Sequence, residues 1–233
     1  MKINYSRGYE MILVYRRDIG HMVALWAVLT AIFLPTLIAA QAHAADENTS
    51  FFITSEGKGE GANLGGLEGA DAHCTQLAEA AGISGKVWRA YLSTSGDDAV
   101  NARDRIGTGP WHNSTGVMIA RDLDHLHSED TGVSKQTSLT EKGEVVNGLG
   151  DKPNMHDILT GSLPDGTANL EYNLTCSNWT TNGKGKALVG HHDRVGGGAR
   201  PKQWNSAHVT WGCSQTKLQG SGGTGLFYCF AEN

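Results

Sequence analysis

The apolar positions of this chain fall into one long uncharged run near the start, one helical stripe and several short clusters of strand type. The uncharged run covers Met22 to Ala40. The stripe is Ala70, Cys74, Leu77, Ala78 and Ala81, spaced i, i+4, i+7, i+8 and i+11. That spacing predicts an amphipathic helix over Gly69 to Ala81, with Cys74 facing the core. Asp71 stands in its first turn, where negative charge suits the helix dipole, and Gly82 follows as a C′ glycine. The strand clusters are Phe51 to Thr54, Val87 to Ser93, Val117 to Ala120, Val145-Val146, Ile158 to Gly161, His208 to Cys213 and Leu226 to Ala231. Val87 to Ser93 is rich in the β-branched and aromatic residues that suit a pleated surface. Asn147-Gly148 has the composition of a type I′ hairpin turn, and Pro164-Asp165-Gly166 that of a turn closing the next strand. Asp97 to Ile106 reads as a polar helix, Asp122 to His127 as a turn or helical turn, and residues 128–144 as a surface excursion. Residues 181–203 are mostly glycine, lysine and histidine and show no period. Short helices early and short strands with long loops late give an α+β class.

The uncharged run changes how the first residues are read. Arg16 and Arg17 precede it, and Ala42-His43-Ala44 follows with the small-x-small pattern of a signal-peptidase site. Residues 1–44 are therefore expected to be a cleaved signal peptide, with an uncleaved anchor as the alternative. The chain would be exported, periplasmic or secreted, with no membrane span in its mature part. Setting aside Lys2, Arg7, Arg16, Arg17, Glu10 and Asp18 leaves 15 basic and 22 acidic residues, a net charge of −7. That excess argues against nucleic acid or a polyanionic surface as partner. The remaining 189 residues suit one domain with its own core. All four cysteines lie in that part, as expected for two disulfides in an exported chain. Three pairings are open on arithmetic alone. No C-x-x-C pair supports metal binding by cysteine instead. The glycines between Gly57 and Gly69 follow a strand and precede a helix, but Leu64 occupies the third glycine position of a dinucleotide fingerprint.

Candidate chemistry concentrates between Leu174 and Phe230, which holds Cys176, Cys213 and Cys229 and the tryptophans Trp179, Trp204 and Trp211. Trp179 and Trp204 flank the long loop, with Asn178 and Asn205 beside them. Aromatic faces stack on sugars and peptide groups, and amides orient such ligands. The favoured reading places both tryptophans in the core at the loop bases, and Trp88, Trp111 and Trp211 more so. His191-His192-Asp193 lies in the same loop, with His208 nearby in sequence, and Asp124-His125-x-His127 forms a second cluster. Histidine and aspartate suit zinc or copper. His125, His127, His191 and Asp193 are the residues that would carry such an ion, but with no cysteine ligand and no helical H-x-x-x-H no metal or other cofactor is assigned. Catalytic signatures are missing from the sequence: there is no G-x-S-x-G and no H-E-x-x-H.

Gly69-Ala70-Asp71-x-x-Cys74, Gly82-Ile83-x-Gly85 and Arg89-Ala90-Tyr91-Leu92-Ser93 together resemble the start of endostatin, the C-terminal domain of certain collagens. Val146-Asn147-Gly148, Asp157-Ile158-Leu159-x-Gly161-Ser162-x-Pro164-Asp165-Gly166, Leu174-Thr175-Cys176-x-x-Trp179-x-Thr181 and the final Cys213 and Cys229 resemble its continuation. The resemblance runs from about Gly66 to Asn233. It implies a C-type-lectin-like, endostatin-like fold, a mixed sheet with flanking short helices and a long-loop region. It also implies nested disulfides, Cys74–Cys229 and Cys176–Cys213. Residues 45–65 would be an N-terminal strand and glycine-rich lead-in, and 66–233 the lectin-like domain.

The departures from that family matter equally. The mature chain is acidic where endostatin's heparin surface is arginine-rich, and it has no histidine before His73 to supply the family's N-terminal zinc site. Trp204-Asn205-Ser206 stands where calcium-dependent lectins have Trp-Asn-Asp, and Asp193 is the only carboxylate between Glu171 and Glu232. Calcium wants six to eight oxygen ligands, so the loop does not suit it. The expectation is a non-catalytic exported module that binds a glycan or an extracellular or envelope protein without calcium, through Asn178, Trp179, His191, His192, Asp193, Trp204 and Asn205. A structural or adhesive envelope protein and a metal-dependent hydrolase using the loop histidines are the alternatives.

Overall fold

The computed structural model describes residues 45–196, 200 and 202–232. The expected signal peptide over 1–44 lies outside them. Among the described residues no helix is long and apolar enough to cross a membrane. In chain order the elements are β1 (Phe51–Ile53), α1 (Gly66–Ala80), β2 (Val87–Ala90), β3 (Trp111–His112), β4 (Met118–Ala120), α2 (Leu123–Leu126), β5 (Asp157–Leu159), α3 (Cys176–Trp179), β6 (Leu188–His191), β7 (His208–Val209), α4 (Gln215–Ser221) and β8 (Gly223–Glu232).

β8 organises the sheet. Its residues are buried without a break from Gly225 to Ala231. Successive side chains of a strand point to opposite faces. Leu226, Tyr228 and Phe230 therefore join one core with Phe51, Trp111 and Trp204, while Phe227, Cys229 and Ala231 join another with Phe52, Trp88 and Trp179. Backbone polar groups so far from water must be paired. β1 runs antiparallel along one edge of β8, with Phe51 opposite Phe230. The other edge is shared, by β5 in parallel (Leu159 opposite Phe227) and then by β2 antiparallel (Arg89 opposite Phe230). β6 and β7 extend the sheet beyond β5, and β3 and β4 form a separate pair. The architecture is α+β around a mixed sheet.

The helical stripe forms as its spacing requires: Ala70, Cys74, Leu77 and Ala78 are buried on α1, and His73 with them. The helix begins three residues earlier than expected, after Gly65 in a left-handed conformation, and Gly82 follows it at φ +81°. Two disulfides are present, Cys74–Cys229 and Cys176–Cys213, and no cysteine is free. The first joins α1 to β8 and the second joins α3 to the segment before α4.

Several local expectations are corrected. Asp97 to Ile106 contains only a 3-10 turn at Ala102–Arg105. The reason is competition for amides: Thr94 Oγ1 takes the N–H of Val100, and Ser93 Oγ takes that of Ala102. Residues 128–144 are no surface excursion, since Val133, Leu139, Ser138 and Glu141 are buried and Leu139 accepts a bond from Ile53 of β1. Asn147-Gly148 is not a type I′ turn, as neither residue has positive φ. The turn comes one step later, closed by Asp151 N–H to Gly148 O. His208 to Cys213 shortens to the two-residue β7, and the glycine-rich loop after it contains α4. Trp88 and Trp111 are core residues, whereas Trp211 is 66 % exposed. β6 arises inside the aperiodic 181–203 stretch, with all four residues buried.

α3 is a single left-handed turn, with φ of +48°, +54°, +55° and +65° at Cys176, Ser177, Asn178 and Trp179. Left-handed helix costs roughly 1–2 kcal/mol per residue that is not glycine. Anchors at each end offset this. Cys176 is disulfide-bonded, the Asn178 amide exchanges two hydrogen bonds with the Ser95 backbone, and Trp179 Nε1 donates to Ser93 O at 2.8 Å.

Gly190 explains why β6 has no legible pattern. A Cβ there would lie 1.7 Å from Trp204 O and 2.4 Å from Asn205 Cα. Because both obstacles are backbone, Gly190→Ala should destabilise the protein by about 3 kcal/mol or more. Urea unfolding would check this, and a loss near zero would mean that the two segments do not pack in this register.

Candidate metal centre

The far end of the sheet, where β5, β6 and β7 meet, carries a buried set of histidines and aspartates. Asp157 opens β5 and stands opposite His191 of β6. His156 precedes it, and His208 lies on β7, the next strand along. The Nε2 atoms of His156, His191 and His208 lie 3.2, 3.3 and 3.3 Å from one atom, Asp157 Oδ1. The His156 and His191 rings stack at 4.2 Å between centroids, and His208 meets His191 edge-on at 5.0 Å. Only His208 is measurably open, with 24 % of its side chain exposed.

Glycines let the backbone close over this set. A Cβ at Gly222 would lie 3.1 Å from the His156 ring, one at Gly223 would lie 2.6 Å from Asp157 O, and one at Gly196 would lie 3.1 Å from His156 Cε1. The enclosure removes water from a carboxylate, which is costly unless a cation or donors compensate. Burial raises the Asp157 carboxyl, but the contacts with His191 and His208 outweigh it and hold the group below its ordinary value. The same contact with Asp157 raises the His208 imidazole. Yet neither oxygen of Asp157 receives an aligned hydrogen bond. Three ring nitrogens surround the carboxylate at ion-pair distance without pointing an N–H along it.

The outer contacts favour lone pairs directed inward. His208 Nδ1 lies 3.1 Å from the carbonyl Val209 O, so Nδ1 carries a proton, and in the neutral ring Nε2 is the lone-pair nitrogen that faces Asp157. His156 Nδ1 faces Asp193 Oδ1 at 3.4 Å. Asp193 is held by protein donors of its own. Burial would raise its carboxyl, but the His156 contact and the N–H groups of Leu149 and Val195 together bring it well below the carboxylate range. His156, Asp157 and His191 place one ligand atom each within 4.8 Å of one another, a spacing that a single metal ion can bridge.

The residues expected to form a ligand surface are dispersed. Trp179 and Trp204 are buried in different cores, and Trp204 Nε1 donates to Leu126 O. Neither indole offers a face to solvent. Asn178 is bonded to Ser95, and the buried Asn205 amide donates to Tyr91 Oη and to Leu163 O. His192 is buried, with Nε2 3.1 Å from Asn147 O. His125 lies on α2 and His127 directly follows it, and each uses both ring nitrogens elsewhere. His125 accepts from Arg121 N–H and contacts Asp130 O, while His127 contacts Leu123 O and Tyr91 Oη. His191 and Asp193 alone of the expected set reach the cluster. His208, noted beside the loop histidines in sequence, joins them, whereas His156 and Asp157 were not expected there. The signal for these two was a repeated dipeptide, His156-Asp157 and His192-Asp193, of which only the second drew notice as chemistry.

No protein-family model matches the chain, and comparison with curated proteins finds no relative.

His127, away from the cluster, gives the fold a pH dependence. Burial lowers its imidazole from the ordinary value of 6.5, and with Nδ1 facing Leu123 O its Nε2 accepts the Tyr91 hydroxyl. The unfolded chain then binds the extra proton first as pH falls. The stability contributed by neutral His127 is complete above about pH 6.5 and is lost as pH drops toward the lower folded value. Urea unfolding between pH 7.5 and 5 should show falling stability, and His127→Gln should flatten part of that fall. An unchanged slope in the variant would assign the acid sensitivity to other groups.

Proposed function

We propose that this protein is an exported, non-catalytic binding domain of C-type-lectin-like, endostatin-like fold, and that the species it binds is a divalent first-row transition-metal ion such as zinc. One observation carries the metal reading: three imidazole Nε2 atoms converge at 3.2–3.3 Å on a single buried carboxylate oxygen that no hydrogen bond satisfies. Ligands about 2.0–2.1 Å from a tetrahedral ion stand roughly 3.3 Å apart, the separation found here between each nitrogen and the oxygen. Imidazole and carboxylate suit zinc, copper, nickel or iron, whereas soft ions that need thiolate are poorly served, since every cysteine is in a disulfide. Charge also balances, because Asp157 and Asp193 together supply two negative charges for a divalent cation.

Three of these atoms, from His156, Asp157 and His191, lie mutually within 4.8 Å, and three protein ligands would leave a fourth coordination position open. With no catalytic signature in the sequence, the reading gives the ion a stabilising role. The mixed sheet and the disulfides Cys74–Cys229 and Cys176–Cys213 support the lectin-like part of the reading, together with the sequence resemblance. The two disulfides also agree with an oxidising compartment. Recognition of a glycan or extracellular protein is a second reading, favoured by Trp211, whose exposed ring rests on Gly220. A glycan array comparing the wild type with Trp211→Ala tests it, and identical profiles would remove that residue from any ligand site.

Chelator-treated protein titrated with Zn²⁺ in a calorimeter should bind one equivalent. Asp157→Asn and His191→Ala should each weaken binding by more than about tenfold, and zinc at 100 times Kd should stabilise the fold by about 2.7 kcal/mol. A wild-type protein that takes up no zinc, copper or nickel would sink the metal reading and leave a protonated histidine as the counter-charge of Asp157.

A further inference from the structure

We infer that Asp193 is the positioning residue of the metal site and that it ties occupancy of the site to the conformation of residues 147–151. The inference rests on the metal reading above. Asp193 ligates nothing in that reading. Its side chain is almost fully buried, and its two oxygens face different parts of the molecule. Oδ1 lies 3.4 Å from His156 Nδ1 and accepts the N–H of Val195 at 3.1 Å. Oδ2 accepts the N–H of Leu149 at 2.6 Å. A Cβ at Gly148 would lie 2.6 Å from Oδ2, so a glycine is what lets the loop approach so closely.

The coupling follows from the chemistry of imidazole. His156 can ligate through Nε2 only if the proton sits on Nδ1, where it faces Asp193. In the other tautomer Nε2–H faces Asp157 and the Nδ1 lone pair confronts the Asp193 carboxylate, which repels it. At 3.4 Å the Nδ1 contact is not a hydrogen bond, and Nδ1 has no other partner. A metal ion on Nε2 selects the Nδ1–H form, makes that N–H more acidic and draws Asp193 Oδ1 into a full hydrogen bond. Asp193 is then fixed, and with it the acceptor for Leu149 and Val195. His192 reinforces the link from the neighbouring position, since its N–H reaches His156 O and its ring reaches Asn147 O. The segments so fixed present Leu149 and Val195, 47 % and 53 % exposed. An ion in the buried site thereby sets how an apolar surface is displayed.

The experiment is hydrogen exchange of the full protein with and without saturating Zn²⁺, read on peptides covering 147–151 and 193–196, alongside zinc calorimetry of wild type and Asp193→Asn. Asparagine keeps an oxygen for Leu149 but loses the charge that orients His156. Zinc should slow exchange at both peptides by about tenfold or more in the wild type. Asp193→Asn should bind zinc about 10- to 100-fold more weakly and, when saturated, show little added protection. Wild-type zinc binding with unchanged exchange overturns this inference alone, as does wild-type affinity in the variant. No zinc binding by the wild type overturns the metal reading and this inference together. If Asp193→Asn fails to fold, the wild-type exchange comparison still decides the coupling.

Discussion

A strand buried on both faces leaves its backbone no water to bond with, so every donor and acceptor along both edges must find a protein partner. β8 is such a strand, and its demand for partners fixes the positions of β1, β2 and β5. The two cores lie on its two faces. The Cys74–Cys229 link attaches α1 to its middle. The start of β8 matters in another way. Gly222 and Gly223 pass so close to His156 and Asp157 that no side chain fits between them. The same strand that closes the cores thus forms one wall of the histidine cluster.

The cluster sits where the disulfides do not reach. One disulfide secures α1 to β8, and the other secures α3 near α4. β6 and β7 are held to β5 by short ladders, of which β7 contributes two residues. Short edge ladders are weak on their own. A cation shared by Asp157 of β5 and His191 of β6, as proposed above, would cross-link part of that margin.

Some of this was legible in the sequence and some was not, for reasons that can be located. α1 was legible because its buried side faces one core and its exposed side faces water, so its composition alternates with helical period. β8 was legible as an unbroken apolar run. The disulfide pairing was legible only through family resemblance, since spacing left three choices. β6 was hidden because Gly190 is demanded by a passing backbone and His191 is buried as a polar residue, and neither fact has a periodic trace. Trp179 and Trp204 are core residues, as their favoured reading had it, whereas Trp211 was read as packing and is not. Trp179 and Trp204 flank a loop in sequence, but their Nε1 groups are satisfied by distant carbonyls of Ser93 and Leu126, while Trp211 stays outside. The strand was expected to begin at Ile158, and Asp157 in fact opens it. Its role as the point where three histidines meet depends on the pairing of β5 with β6 and β7.

β8 comes late in the chain, and its partner β1 comes from the opposite end of the described residues. No stable subset of the sheet can form around its central strand until residues 223–232 are available. Pairings of such long sequence separation are slow to form, because much chain entropy is given up before contacts return it. Closure of both cores therefore waits on residues 223–232, whatever has folded before them.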